Sequence, residues 1–154
     1  MIDVAEIPIR VCKSDKLDNE KLIAAFKEYI VGVPSGTGVL DLPHSEIIKL
    51  NQSYYKIISS MFPKNVVDKT QSWIVTETNS ETGWHNNFQE KHKSKVQVSG
   101  ICYLTETKRG IEFQNNFFKA ETIPVLDHWY IWPSQLGHRS NEIKWAVATN
   151  TIFK

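Results

Sequence analysis

From Asp18 onward the apolar residues recur at helical spacing. Leu22, Ile23, Phe26 and Ile30 share one face, Asp18 and Glu20 occupy the first turn, and Gly32 closes the run. This predicts an amphipathic helix with one face packed inward. A second helix is predicted from about Ser45 to Met61, with Ile47, Leu50, Tyr54, Ile57, Ile58 and Met61 on one side and Phe62-Pro63 as its terminator. Ahead of both helices, residues 5–12 alternate loosely around Pro8, which suits an edge strand because proline donates no ladder hydrogen bond. The connection Val33-Pro-Ser-Gly-Thr-Gly38 has two glycines, but no Lys-Ser/Thr follows and no buried strand precedes it, so it does not read as a phosphate loop.

Beyond residue 70 the period changes. Short segments rich in valine, isoleucine, threonine and aromatic residues alternate with polar turns, predicting strands at 71–78, 95–105, 110–118, 128–132 and 143–153. In the second of these, Val96, Val98, Gly100, Cys102 and Leu104 face one way, and Gln97, Ser99, Ile101 and Tyr103 the other. One face is expected to be core, and the other can be wet. Helices followed by a run of strands predict an α+β chain, mainly β, with two N-terminal helices covering one face of a double sheet or barrel. A length of 154 residues fits a single domain. Residues 1–65 hold the edge strand and supporting helices, and residues 70–154 the β core.

Composition narrows the partners. Eighteen basic against seventeen acidic side chains, with no basic run interleaved with aromatics, argue against nucleic acid. No apolar run approaches the roughly 18 residues needed to cross a bilayer. The first residues, with Asp3 and Glu6, lack the basic head and apolar stretch of a leader, so a cytoplasmic protein is expected. Cys12 and Cys102 fit no metal-knuckle spacing and predict two buried thiols.

Five histidines bring in metal chemistry. A lone histidine is most often a surface or hydrogen-bonded core residue. His44 reads as a helix-end residue, His92 as part of a charged loop with Lys91, Lys93 and Lys95, and His128 as a strand-start residue beside Asp127. His85 and His138 differ. Two-histidine, one-carboxylate iron sites take two ligands from a His-x-Asp/Glu pair and the third from a histidine on a later strand, leaving one face of the metal open. His85-x-Asn87 with His138 reproduces that spacing without the carboxylate.

Several segments in order carry a resemblance: Ser72-Trp73-Ile74, His85, Ser99 to Leu104, Gly110 to Phe113, Ile131-Trp-Pro-Ser-Gln-Leu-Gly-His138, and Lys144 to Asn150. Together the chain resembles the iron(II)/2-oxoglutarate oxygenases common in bacteriophages and marine bacteria, and the Trp132-Pro-Ser to His138 segment is the most specific part. The resemblance implies a double-stranded β-helix (jelly-roll, cupin-like) binding Fe(II) and 2-oxoglutarate, with His85 and His138 as metal ligands and catalytic residues. Asn87 falls where the family has its acidic ligand. Asn87 is then a weak ligand, or Glu90 or His92 substitutes, or the redox metal is lost, or, as in related halogenases, a halide takes the place.

Lys144 matches the position of the family's arginine for the far carboxylate of 2-oxoglutarate, with Arg139 in reserve. Lys144, Ala146, Ala148 and Asn150 share one strand face, and a slip of one residue would leave Lys144 solvated instead. Tyr103 and Ser99 are candidate donors to the cosubstrate or ordinary sheet residues. Trp84, Trp129, Tyr130 and Trp132 wall a pocket or fill the core. The expected activity is hydroxylation of an unidentified small-molecule or protein substrate. The alternatives are a degenerate jelly-roll that serves as a binding or structural module, and a cupin-like metal enzyme independent of 2-oxoglutarate. Oligomerisation is open.

Overall fold

A computed structural model describes residues 9–30, 38–76, 83–116, 119–140, 143 and 145–154. The first helix, α1, runs Asn19–Ile30. Asp18 starts it, its carboxylate accepting the backbone N–H of Lys21 at 3.2 Å and its carbonyl that of Leu22 at 2.9 Å. Leu22, Ala25 and Phe26 form its buried face. The second, α2, runs Ser45–Met61. His44 caps it, the ring Nδ1 accepting from Glu46 N at 3.2 Å, so its role is the helix-end one read from the sequence. Ile47, Leu50, Tyr54 and Ile58, spaced three and four apart, are fully buried.

Among the described residues the strands are β1 Arg10–Lys13, β2 Val67–Thr76, β3 Gln97–Tyr103, β4 Glu112–Gln114, β5 Lys119–Glu121, β6 His128–Pro133, β7 Gly137–Arg139 and β8 Trp145–Phe153. They make two antiparallel sheets, a five-stranded one in the order β1-β6-β3-β8-β2 and a three-stranded one in the order β5-β4-β7. β1 is an edge strand, as the loose alternation implied. Pro8 and the rest of residues 1–8 lie outside the described residues, as does residue 144.

Three expectations are corrected. The strand at 110–118 is instead the short β4, with β5 returning beside it, because the chain reverses rather than continuing extended. The 71–78 strand starts earlier, at Val67, with an irregularity in register between Val67 and Lys69. The central strand β3 has no wet face, for every one of its residues is buried. Val98 and Cys102 pack with Val147, Trp129 and Ile131 under the two helices. On the reverse face Ile101 and Tyr103 meet Trp132, Ala146, Ala148 and the three-stranded sheet's Phe113. A three-stranded sheet covers the side that alternation alone would leave to water. Cys102 is buried but Cys12 only half-buried, and both are free thiols. Among the described residues no helix is long and apolar enough to cross a membrane.

Candidate metal centre

The turn after β6 places His138, the first candidate ligand. Pro133 ends the strand, Leu136 N donates back to Pro133 O at 3.0 Å, and the chain re-enters a sheet as β7, with His138 opposite Phe113 of β4. His138 is buried, edge-on to Trp132 with ring centroids 5.0 Å apart. His85 reaches it through a two-bond backbone bridge: His85 N donates to His138 O at 3.0 Å, and His138 N to His85 O at 2.8 Å. The two imidazole centroids are 4.4 Å apart and inclined by 56°.

The tautomers follow from the next contacts. Nδ1 of His85 lies 2.7 Å from Gly83 O, and Nδ1 of His138 lies 3.0 Å from Leu136 O. A carbonyl only accepts, so each Nδ1 carries a proton, and in a neutral ring Nε2 then keeps the lone pair with which imidazole binds a metal. Burial pulls His138 down to about 4, against the opposing pull of the Leu136 carbonyl, so it is neutral near pH 7. His128 makes the same local contact, Nδ1 to Leu126 O at 2.7 Å, without a histidine facing it. The contact alone is therefore no metal signature; the meeting of two such rings is.

Both rings line a cleft of about 80 Å³, together with Trp73, Asn87, Trp132, Ala148 and others. That is room for on the order of half a dozen waters, or a ligand of similar bulk. Asn87 is brought to the histidines as its spacing implied. Glu90 and His92 are not: they lie in a 3-10 turn, and among the described residues no three His, Cys, Asp or Glu side chains gather to hold a metal. Substitution by either is thereby removed from the alternatives, and the polar residues that line the cleft beside the two histidines are the neutral Asn87 and Ser140. The donor set fits a divalent metal through two imidazoles, with one oxygen donor that brings no charge.

The remaining predicted residues separate. Ser99 lies inside the sheet pair, its hydroxyl 2.9 Å from Ser134 Oγ and 2.9 Å from Asn150 Oδ1. Tyr103 is buried in the same interior, edge-on to Tyr130 at 5.5 Å, its hydroxyl lacking a hydrogen bond of ordinary geometry, and burial pushes the phenol far up. Arg139 grips Glu112 with Nε at 2.5 Å and Nη2 at 3.2 Å and stacks 4.6 Å over the Trp84 ring. Lys144 lies outside the described residues; of the residues after it, Ala146 and Ala148 pack in the inter-sheet core, whereas Val147 and the half-buried Trp145 pack on the helix side. Of the four aromatics considered as pocket walls, Trp132 lines the cleft, Trp84 carries Arg139, Trp129 packs on Tyr54 at 4.6 Å, and Tyr130 belongs to the inter-sheet core. Trp73 was not singled out as a cleft residue. The signal was strand parity: Ile74 joins the helix-side core, which turns Trp73 and Val75 toward the cleft.

No protein family matches the sequence, and no curated protein does. Solved structures match the fold. A prolyl hydroxylase from Trichoplax adhaerens, in complex with a hypoxia inducible factor peptide fragment, superposes with a TM-score of 0.67 at 11% identity, covering 97% of this chain and 84% of that one. A Pseudomonas putida prolyl-4-hydroxylase gives 0.63 at 11%, covering 99% and 88%. A viral collagen prolyl hydroxylase from Paramecium Bursaria Chlorella virus-1 gives 0.60 at 12%, covering 94% and 89%. The chain shares its fold with these structures. At such identities the likeness speaks for the fold alone.

Proposed function

We propose that the chain is an iron(II)/2-oxoglutarate-dependent dioxygenase on a double-stranded β-helix, hydroxylating a substrate still to be identified. The observation that carries the reading is the pair of imidazoles, each with Nδ1 committed to a carbonyl and both lining one cleft. His85 and His138 would hold the metal, with the Asn87 amide oxygen as third donor. Bound there, Fe(II) with 2-oxoglutarate supplies dioxygen-dependent oxidation. The chain's part is to bind and to exclude water. Lys144 pairs with the far carboxylate of the cosubstrate, as a point charge rather than a bidentate fork. Arg139, already held by Glu112, leaves that role to Lys144. Tyr103, whose hydroxyl lacks a hydrogen bond of ordinary geometry, can donate to an acid bound between the sheets, whereas the Ser99 proton already goes to Asn150 Oδ1, and Trp73 and Trp132 wall the cleft.

The test is anaerobic addition of Fe(II) and 2-oxoglutarate, which should produce the visible charge-transfer band of the chelate. If there is no band, and calorimetry detects neither ligand, the catalytic reading is wrong. The neutral Asn87 favours one other reading, a module that keeps the barrel for binding or assembly and has given up the iron.

A further inference from the structure

Asn150, Ser99 and Ser134 form a fully enclosed polar cluster, with exposures of 2%, 0% and 0%. Asn150 lies on β8, Ser99 opposite it on β3, and Ser134 at the start of the turn that leads to His138. Asn150 Oδ1 accepts from Ser99 Oγ at 2.9 Å and from Ser134 Oγ at 2.7 Å, while its Nδ2 donates to the backbone oxygen of Asn87 at 3.4 Å. The amide has only this orientation available, because the reverse would set its oxygen against the Asn87 carbonyl. The other backbone group of Asn87 is held as well, N donating to Ser134 O at 3.1 Å. Asn87 is thus gripped at N–H and C=O by the two residues that also grip each other.

With Ser99 on β3, the cluster joins four separate pieces of chain. β8 is a long central strand of the five-stranded sheet; Ser134 begins the turn to His138; Asn87 is two residues past His85. Farther along the same loop, Gln97 ties down the next residues, accepting from Gln89 N at 2.9 Å and donating to Gln89 O and His92 O, each at 3.0 Å. One side chain, on β8, therefore touches both the Asn87 backbone and the Ser134 turn that leads to His138. We infer that Asn150 is a positioning residue for the metal site, acting through the Asn87 backbone and the Ser134 turn. The inference rests on the metal reading above.

Two unlike substitutions isolate the donor. Asn150→Asp keeps the oxygen that takes both serine hydroxyls but replaces Nδ2 by a second acceptor. Asn150→Leu removes both functions and leaves Ser99 and Ser134 to bond each other, which are already 2.9 Å apart. Metal-supporting contacts of this kind are worth roughly 10–100-fold in metal affinity. Co(II) titrated into the full chain, followed by calorimetry and by its visible spectrum, should bind both variants at least about tenfold more weakly than wild type. Amide hydrogen exchange should rise in peptides spanning 85–92 while α2 stays protected. If either folded variant binds Co(II) within twofold of wild type, or if protection falls everywhere with affinity unchanged, Asn150 is merely structural and the inference is overturned. A wild type that binds no Co(II) brings down the metal reading, and this inference with it; equal binding by wild type and variants brings down the inference alone.

Discussion

Tyr54 links the helices to the strand that carries the site, and replacing it gives a prediction whose sign depends on pH. It is fully buried on α2, packed on Trp129, with its hydroxyl 2.6 Å from Thr151 Oγ1 on β8. Burial pushes the phenol from 10.0 up to about 12, only partly opposed by the threonine hydroxyls beside it. Below the ordinary pKa both folded and unfolded chains keep the proton, so titration contributes nothing. Between about 10 and 12 the unfolded chain loses its proton first, and stability falls as pH rises. Each unit is worth 1.36 kcal/mol, so the loss is about 1 kcal/mol by about pH 11 and about 2 by about pH 12. Tyr54→Phe removes the hydrogen bond but leaves Thr151 bonded to Thr70 at 3.0 Å. The variant is therefore less stable near neutrality by about 1 kcal/mol. Because phenylalanine does not titrate, the order inverts near pH 11. Urea unfolding of both proteins from about pH 8 to 12 reads the difference directly, other titrating groups cancelling between them. Parallel curves, with the wild type ahead throughout, would refute the burial argument.

Two further substitutions address the site and the sheet that covers it. Under the oxygenase reading, Asn87→Asp changes Fe(II) affinity by less than about tenfold, measured anaerobically by calorimetry; a change from no detectable binding to tight binding would favour the binding-module reading instead. Gly110→Ala places a methyl 1.9 Å from the backbone oxygen of Thr122, whose N–H pairs with Ile111 O at 3.0 Å. That clash cannot be relieved by a side-chain rotation, so a loss of about 1–3 kcal/mol is expected in denaturant titration, and a loss under about 0.5 would show that β4 and β5 can separate freely.

What was legible in the sequence was the part with a period. The bounds of α2 follow from His44 and Phe62-Pro63, and which residues of β3 share a face follows from alternation. That both faces are buried was hidden, because the covering sheet is built of three-residue strands, too short to show a period, and its pairing of Phe113 with His138 is non-local. The site divides the same way. His85, Asn87 and His138 were visible as residue types at a telling spacing, but their meeting depends on two backbone hydrogen bonds between His85 and His138, which any side chains could make. Ser134 read as a turn residue and Asn150 as one more position on a strand; neither carries a signal of what it holds. Ligand identity is thus written in side-chain chemistry, while ligand placement is written in backbone contacts, and the latter are set by how distant strands pair. Under the metal reading, a search of this fold by ligand residues alone would discard a chain with Asn87 in place of a carboxylate, although the backbone bridge that brings His85 to His138 is intact.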